Sequence, residues 1–441
     1  MTEAPPVAVV LAAGRSERLR PVTGGGSKAL VRLGGLRLVE RAIRTLLAVG
    51  VERVVVVVGY HAGPVAAVAQ RAAPGRVQVV EAADWEQGNA ASLAAAEAAV
   101  GDEPSFLAVS VDHVFAEGAL TDIGGADGPS VLVDPAPDPD VWKEATKARV
   151  AADGRVVELG KDTDSLTVDA GVFLLPSAVF DAIRRSRAQG DGSLAWAVTE
   201  LARTVPIAAV PVKAEAWWQD VDTPEDLGRA ASLLRAGLPR PGDGPVARHL
   251  NRRLSVPVSW LLVRFGPNPD LLSAVAFVVG IVAGAFLAAG LGVVGGLLTQ
   301  LCSVLDGVDG EVARLQLRAG PRGTLLDGIL DRLGDTVICA ALGVWAAGEG
   351  TSPAVVAVLV AAATAGAMLS MATKDRVAAL GLEPPSERRI GWLLGGRDGR
   401  LLIIAVLSVF GLPVGALAAS AATSLASAAI RVSFARTVPP S

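Results

Sequence analysis

The chain has 441 residues, long enough for two or three domains, and a formal net charge of −4. Its two cysteines and three histidines form no cluster along the sequence, which argues against a zinc site. Both cysteines, Cys302 and Cys339, lie in apolar stretches and are expected in the core. The N-terminal MTEAPPVAVVLAAG has no basic segment and an apolar run of only a strand's length, unlike a signal peptide. The mean hydropathy of +0.47 conceals a division between a soluble first part and a largely apolar remainder.

The soluble part begins with alternating strands and helices. Val7–Leu11 is predicted as a short buried strand, and a glycine-containing turn follows it. A helix over Leu38–Leu47 and a second strand over Val54–Val58 come next. This alternation predicts an α/β, Rossmann-like domain with a parallel sheet, whose ligand binds at the carboxyl ends of the strands.

Four motifs in this part carry a resemblance that covers nearly all of residues 5–235. They are LAAGRSERLRP followed by Lys28, EQGNAASL at 86–93, VSVDHVF around Asp112, and WWQDVDTPEDL around Asp220. Together they resemble the motifs of the sugar-phosphate nucleotidylyltransferases. One position departs from that family, because Ser27 precedes Lys28 where proline is common. The loop is then less rigid, but the cation remains.

This resemblance implies a role for each matching residue. Arg18 and Lys28 would neutralise charge on the α-phosphoryl group and on the pyrophosphate leaving group. Asp112 and Asp220 would hold Mg²⁺, with Mn²⁺ as a possible substitute. The nucleotide would lie against the turn after the first strand and against the EQGN segment, at Leu11, Ala13, Gly14, Gly88 and Asn89.

Three shorter segments indicate which group within that family the chain resembles most. DHVF, EATKARV at 144–150 and ELGKD at 158–162 look most like those of the inositol-1-phosphate cytidylyltransferases. Lys147 and Lys161 are then candidates for binding the incoming polyol phosphate, with solvated surface lysines as the alternative. His113, beside Asp112, is interpreted as a structural residue rather than a catalytic one.

Beyond about residue 270, apolar runs suggest six membrane spans, some of them short. They cover 271–291, 293–304 with continuation into a charged motif, 325–347, 353–371, 401–412 and 414–430. Before the first span, ARHLNRRLSVPVSWLLVRFG mixes basic and large apolar residues, which is typical of an amphipathic helix at a membrane interface. Residues 239–245 are interpreted as a linker.

Lysine and arginine occur in alternate loops of this region. They are Arg314, Arg318, Arg322, Lys374, Arg376, Arg388, Arg389, Arg397, Arg400, Arg431 and Arg436. The opposite loops, at 288–295, 347–352 and 411–415, contain none. By the positive-inside rule, both termini and the soluble domain are expected in the cytoplasm. The chain is therefore predicted to be a multi-pass protein of the cell inner membrane or plasma membrane.

Four aspartates between the second and third apolar runs form the strongest motif. The segment 306–331, DGVDGEVARLQLRAGPRGTLLDGILD, holds them in pairs spaced i,i+3 and i,i+4, so each pair lies on one face of a helix. Unpaired carboxylates at membrane depth are costly, and divalent metal is the most economical compensation. The alternative is a helix hairpin held by salt bridges to neighbouring arginines, which explains neither the glycines nor the carboxylate spacing.

The spacing of this motif resembles the complete signature of the CDP-alcohol phosphotransferases. The matching positions are Asp306, Asp309, Gly310, Ala313, Arg314, Gly323, Asp327 and Asp331. The resemblance implies that the aspartates bind metal and the donor diphosphate, that the other four positions bind the CDP-alcohol, and that Asp331 takes the proton of the acceptor hydroxyl. Arg376, Arg397 and Arg400 are candidates for binding an anionic acceptor, and the positive-inside bias is their alternative explanation.

The order of the two domains resembles that of the bifunctional enzymes that make CDP-inositol and then di-myo-inositol phosphate phosphate. We expect a nucleotidyltransferase domain at 1–238, a linker and interfacial helix at 239–268, and an all-α transmembrane bundle at 269–441. The expected first reaction is CTP plus inositol 1-phosphate to CDP-inositol and pyrophosphate. The second joins CDP-inositol to another inositol 1-phosphate and releases CMP. A homodimer is expected by family analogy, and no nucleic-acid partner is expected.

Two alternatives remain open. Both chemistries could act on another polyol phosphate or a lipid acceptor, because the inositol assignment rests on local resemblance. The helices could also be a transporter or a non-catalytic anchor. Internal repeats between the two halves of the membrane region would favour a transporter, and none is visible in the sequence.

Overall fold

The computed structural model describes residues 4–190, 192–240, 242–379, 390 and 394–435. The chain divides into two compact units, Met1–Arg235 and Ala236–Ser441. Three basic residues of the predicted cytoplasmic loops, Arg388, Arg389 and Arg436, lie outside the described residues.

The first unit is built on a nine-stranded sheet with two small two-stranded sheets beside it. In chain order the strands are β1 Val7–Ala12, β2 Arg32–Leu33, β3 Leu36–Arg37, β4 Arg53–Val58, β5 Val77–Glu81, β6 Ser105–Ser110, β7 His113–Phe115, β8 Ser130–Asp134, β9 Lys147–Val150, β10 Val156–Gly160, β11 Val168–Pro176, β12 Ala208–Pro211 and β13 Trp218–Asp220. The predicted strands at β1 and β4 are confirmed, each one residue longer than expected.

Part of the large sheet is parallel, as the sequence predicts. Strands β6, β1, β4 and β5 lie side by side and run in one direction, so the turns after β1 and β6 emerge at the same edge. The sheet also has an antiparallel part that the sequence did not predict, because β11 pairs antiparallel with β6, β8 and β9. Antiparallel pairing needs no crossover helix, and only one short helix separates the strands from β8 to β11.

Helices pack on the sheet and bury its apolar faces. They are α1 Arg20–Thr23, α2 Leu38–Ala48, α3 Ala62–Ala72, α4 Asn89–Ala94, α5 Glu97–Val100, α6 Thr121–Gly124, α7 Pro139–Glu144, α8 Val179–Ala188, α9 Leu194–Ala202 and α10 Pro224–Ala236. Beneath α4, α8 and α9, the core is continuous from Val9 and Val55 in the sheet to Phe106 and Phe180. The rings of Phe106 and Phe180 stack with centroids 5.5 Å apart.

The second unit is a helical bundle. Its helices are α11 Arg252–Leu262, α12 Pro269–Ala288, α13 Gly292–Leu315, α14 Pro321–Gly348, α15 Pro353–Ala379, α16 Arg397–Val409 and α17 Pro413–Ala435. Within the described residues, the six helices from α12 onwards overlap the six predicted apolar runs. Among the described residues, α12, α15 and α17 are long and apolar enough to cross a membrane by length and composition alone. The other three are shorter or carry the charged motif.

Close contact between α13 and α16 depends on glycine. A Cβ atom at Gly292 would lie 2.2 Å from the carbonyl oxygen of Ser408, and one at Gly296 would lie 2.6 Å from that of Ala405. Small residues four positions apart let helix backbones approach in this way. Cys302 and Cys339 are buried and free, as predicted.

Helix α11 turns its polar side towards the bundle. The hydroxyls of Ser255 and Ser259 each donate a 2.6 Å hydrogen bond to Glu311, and Arg252 forms a 2.8 Å ion pair with the same carboxylate. The large apolar residues of this region are exposed, at Leu250, Leu254, Val258, Leu261 and Phe265. This orientation suits contact with lipid.

Replacing Gly296 with alanine is expected to destabilise the bundle. The added methyl group meets backbone rather than a movable side chain, and overpacking of this kind costs about 1–3 kcal/mol. The thermal unfolding temperature of the full chain in detergent should therefore fall. Gly348→Ala is the matched control, because its methyl group meets nothing within 4 Å. Equal unfolding temperatures for the two variants would contradict the packing argument.

Candidate active sites

A cavity of about 330 Å³ lies between the turn after β1 and the segment before α4. It is lined by the five residues predicted to bind the nucleotide in this unit, Leu11, Ala13, Gly14, Gly88 and Asn89, and by the predicted catalytic Lys28 and metal ligand Asp112. A Cβ atom at Gly14 would meet nothing within 4 Å, so the glycine leaves backbone facing open space. Asn89 has a second role, because its side-chain oxygen accepts the N–H of Leu194 at the start of α9.

Pairing of β7 with β13 brings distant carboxylates together. Asp220 lies opposite His113 in that pair, and one ligand atom each from Asp112, His113 and Asp220 lie within 4.8 Å of one another. The His113 ring is held parallel to that of Trp218, with centroids 5.6 Å apart. Its Nδ1 lies 2.8 Å from Asp112.

Lys28 and His113 offset part of the negative charge of Asp112, Asp220 and Asp222. Burial works against the charge of Lys28, yet Asp112 and Asp222 hold the pKa of its ammonium above the usual range. Burial favours a neutral imidazole, but the carboxylates of Asp220 and Asp112 raise the pKa of His113 to about 9. Because Nδ1 of His113 contacts Asp112, the carboxylates of Asp112 and Asp220 remain the predicted metal ligands. This fits the structural role predicted for His113.

One carboxylate oxygen of Asp220 is free to coordinate a metal. Burial raises the pKa of Asp220 to about 7, although the charge of His113 opposes the shift. Its Oδ1 atom is buried and has no hydrogen-bond partner among the residues that the structure describes. A buried carboxylate oxygen of this kind suits a cation as its partner.

Sequence reasoning missed Asp222, which forms ion pairs with both Arg18 and Lys28. The sequence did offer a signal for Asp222, because this residue lies only two positions after the predicted metal ligand Asp220. Arg18 also pairs with Glu144, in one of the segments that carried the resemblance. These contacts place both predicted catalytic cations beside the carboxylate cluster.

A larger cavity, of about 870 Å³, adjoins the first at Asn89 and Ser110. Lys161 lines it and donates from its ammonium to the backbone carbonyl of Glu144. Lys147 does not line it. That side chain is buried, with its ammonium 4.8 Å from the centre of the Trp142 ring. The structure therefore brings only one of the two predicted lysines to the cavity.

In the second unit, α13 and α14 face each other with the predicted aspartates between them. One carboxylate oxygen each of Asp306, Asp327 and Asp331 lie within 4.8 Å of one another. Asp309, on the same turn as Asp306, accepts hydrogen bonds from Ser273 and from the backbone N–H of Gly310. The guanidinium of Arg397 lies 2.7 Å from Asp306 and 3.1 Å from Asp331.

Two cavities meet at these aspartates. The first, which we call the glycine cavity, has a volume of about 570 Å³ and contains Ala313 and Gly323 in its wall. A Cβ atom at Gly323 would meet nothing within 4 Å, so helix packing does not require this glycine. The observation favours the predicted role in binding a ligand.

The second, which we call the basic cavity, has a volume of about 530 Å³. Its cationic lining consists of Arg240, Arg252, Arg314, Lys374, Arg397, Arg400 and Arg431. Arg397 and Arg400 are tied together by Asp335, at 3.2 and 3.1 Å, a contact that sequence reasoning missed. Arg376 is exposed and lines neither cavity, whereas Arg431 is buried and donates to Ser370.

Both carboxylate clusters fit a hard divalent cation. Oxygen donors of carboxylates are the ligands that Mg²⁺ and Mn²⁺ prefer. In the bundle, Arg397 supplies one positive charge against three clustered aspartates, so negative charge remains for a metal to neutralise. In the soluble unit, the unpartnered oxygen of Asp220 gives the same indication.

Comparisons with known proteins match both halves of the chain. The MobA-like NTP transferase domain matches residues 8–123, and the CDP-alcohol phosphatidyltransferase family matches residues 267–382. The bifunctional IPC transferase and DIPP synthase of Rubrobacter xylanophilus is 38% identical over 96% of this chain and 95% of its own. The protein of that name from Aquifex aeolicus is 31% identical over 92% of each chain.

The chain belongs to this family. It therefore combines a nucleotidyltransferase with a CDP-alcohol phosphotransferase, as the motifs predict, and it associates with membrane. The two enzyme families generally use divalent metals. Among solved structures, the inositol-1-phosphate CTP transferase from T. maritima is 27% identical over 53% of this chain and 97% of its own, with a TM-score of 0.48.

Mn²⁺ binding, followed by electron paramagnetic resonance of the full chain in detergent, is expected to separate the two clusters. Asp220→Asn should remove one class of sites and Asp327→Asn the other, because each substitution deletes a charged ligand. Asp375→Asn is the control, since that aspartate is exposed and belongs to neither cluster. If Asp327→Asn bound as much Mn²⁺ as the unmodified chain, the aspartate cluster of the bundle would not be a metal site.

Proposed function

We propose that the soluble unit makes CDP-inositol from CTP and inositol 1-phosphate, and that the bundle joins CDP-inositol to a second inositol 1-phosphate. The products of the second step are di-myo-inositol phosphate phosphate and CMP. One observation carries the proposal: each unit has a carboxylate cluster where two cavities meet, so a donor and an acceptor can approach one another there. Relatives over nearly the full chain length carry both activities in their name.

The first step needs charge neutralisation but no base. An oxygen of inositol 1-phosphate attacks the α-phosphorus of CTP, and the bond to the pyrophosphate oxygen breaks. The nucleophile is already anionic at neutral pH, so no side chain has to remove a proton. Lys28 and Arg18, held beside the cluster by Asp222, oppose the charge that develops on the phosphoryl and leaving groups.

The second step needs a base as well. The hydroxyl oxygen of the second inositol 1-phosphate attacks the phosphorus that bears inositol, and the bond to CMP breaks. Asp331 takes the hydroxyl proton, and Arg397 holds that carboxylate at 3.1 Å. Arg397 and Arg400 can attract the anionic acceptor into the basic cavity. Bound Mg²⁺ at either cluster would supply further positive charge for the diphosphate oxygens.

Joining the units in one chain has a kinetic reason. CDP-inositol leaves the first site and is the substrate of the second, and a tether raises its effective concentration there.

We place the soluble unit, both termini and the aspartate cluster on the cytoplasmic side of the cell inner membrane or plasma membrane. Lysine and arginine fall in alternate loops, which supports this orientation. We also propose a homodimer.

Product identification tests the substrates. Full chain in detergent, given CTP, Mg²⁺ and inositol 1-phosphate, is expected to yield CDP-inositol and the phosphorylated diester, identified by mass spectrometry and phosphorus NMR. Glycerol 1-phosphate and glucose 1-phosphate serve as competing substrates, and a phosphatidylinositol-containing vesicle as a competing acceptor. If any of these reacted faster than inositol 1-phosphate, inositol 1-phosphate would not be the preferred substrate.

Two variants are expected to block the two steps of the pathway separately. Asp331→Asn is expected to accumulate CDP-inositol, because the base of the second step is lost while the soluble unit is intact. Lys28→Met is expected to reduce CDP-inositol synthesis by about 10²-fold or more, yet to convert supplied CDP-inositol normally. Rates of each step, measured separately, check both expectations. If Asp331→Asn formed the diester at the normal rate, the bundle would be a membrane anchor and not the catalyst of the second step.

A further inference from the structure

We propose that the segment leading into the bundle, residues 238–240 and 242–247, is part of the second active site, and that Arg240 binds the diphosphate of the CDP-linked donor there. The inference deepens the proposed function and rests on it for the identity of the donor. It begins from the position of Arg240, which lines both the glycine cavity and the basic cavity.

Few residues border both cavities. Among the described residues they are Arg240, Asp309, Gly310 and Asp327, and Arg240 is the one cation of this set. A donor whose nucleoside occupies one cavity, and whose reacting phosphorus faces the acceptor in the other, must place its diphosphate at this boundary. Arginine is well suited to phosphate oxygens, because its guanidinium donates several hydrogen bonds from a planar group.

The segment is held in place by a chain of hydrogen bonds and ion pairs. Asp243 accepts hydrogen bonds from Nε and Nη2 of Arg252, at 2.8 and 3.2 Å, and from the backbone N–H of Arg240, at 3.0 Å. Arg252 continues to Glu311 on α13, whose side chain is fully buried. Arg314 adds a 2.8 Å hydrogen bond to the carbonyl of Leu238. The backbone of Arg240 is therefore tied to the helix that carries Asp306 and Asp309.

The guanidinium of Arg240, by contrast, is available. No hydrogen bond or ion pair engages it within the described part of the chain, although Asp327 and Arg314 lie within electrostatic range. Arg252, Arg397 and Arg400 in the basic cavity are already paired with carboxylates. A cation anchored through its backbone but free at its side chain is preorganised to bind an anion.

The kinetic test uses the full chain and supplied CDP-inositol with inositol 1-phosphate. Arg240→Ala is expected to raise the KM for CDP-inositol about tenfold or more, the size of one lost charge-assisted hydrogen bond, with a smaller change in kcat. Arg240→Lys should recover part of the loss. Arg253→Ala is the matched control, because that arginine is exposed and lines neither cavity. The rate of CDP-inositol synthesis should not change in any of the three.

A binding measurement separates this proposal from the proposed function. In a Lys28→Met background, which weakens nucleotide binding in the soluble unit, Arg240→Ala should weaken binding of CDP much more than binding of CMP. That difference is expected if Arg240 contacts the second phosphate, whether or not inositol is the natural polyol. Equal losses for CDP and CMP, or behaviour of Arg240→Ala identical to that of Arg253→Ala, would overturn the assignment. Absence of turnover in the unmodified chain, with the CDP effect intact, would overturn only the proposed function.

Discussion

Mutual repulsion among carboxylates is the constraint around which both halves of this protein are organised. In the soluble unit, pairing of β7 with β13 forces Asp112 and Asp220 together, and in the bundle the facing helices α13 and α14 do the same for three aspartates. Each unit contains only part of the positive charge needed to offset this, from Lys28 and His113 in one and from Arg397 in the other. The remaining negative charge favours binding of divalent cations and, through them, of polyphosphates. Charge that is unfavourable in the isolated protein is thereby converted into affinity for ligand.

The two units reach a similar arrangement from unrelated folds. In each, two cavities meet at the carboxylates, and arginine or lysine lies where phosphate groups would approach. The chemistry differs at one point only. A phosphate nucleophile is already ionised, whereas a hydroxyl must lose a proton, and Asp331 of the bundle is our proposed acceptor for it. Transfer to phosphorus thus depends more on where charges are held than on the scaffold that holds them.

Much of this arrangement could be predicted from sequence, and the exceptions have physical causes. The aspartate motif of the bundle was accessible because helical periodicity alone places i,i+3 and i,i+4 neighbours on one face. Asp112 and Asp220 could be associated only through family motifs, since their proximity depends on a strand pair between distant segments. The contacts of Asp222 and Asp335 were missed because they depend on tertiary packing. For the same reason the antiparallel part of the sheet was not expected, and Arg376 was assigned to a site that it does not line.

The charged ends of α13 and α14 also bear on how the protein is made. These helices carry the clustered aspartates, and their charged ends make them less apolar than α12, α15 and α17. A helix with several carboxylates partitions poorly into lipid when it leaves the translocon alone. Ser273 of α12 donates a hydrogen bond to Asp309, and Arg397 of α16 pairs with Asp306 and Asp331, so flanking segments supply polar partners that lower the cost. We therefore expect several segments of the bundle to be retained at the insertion machinery and to enter the bilayer together.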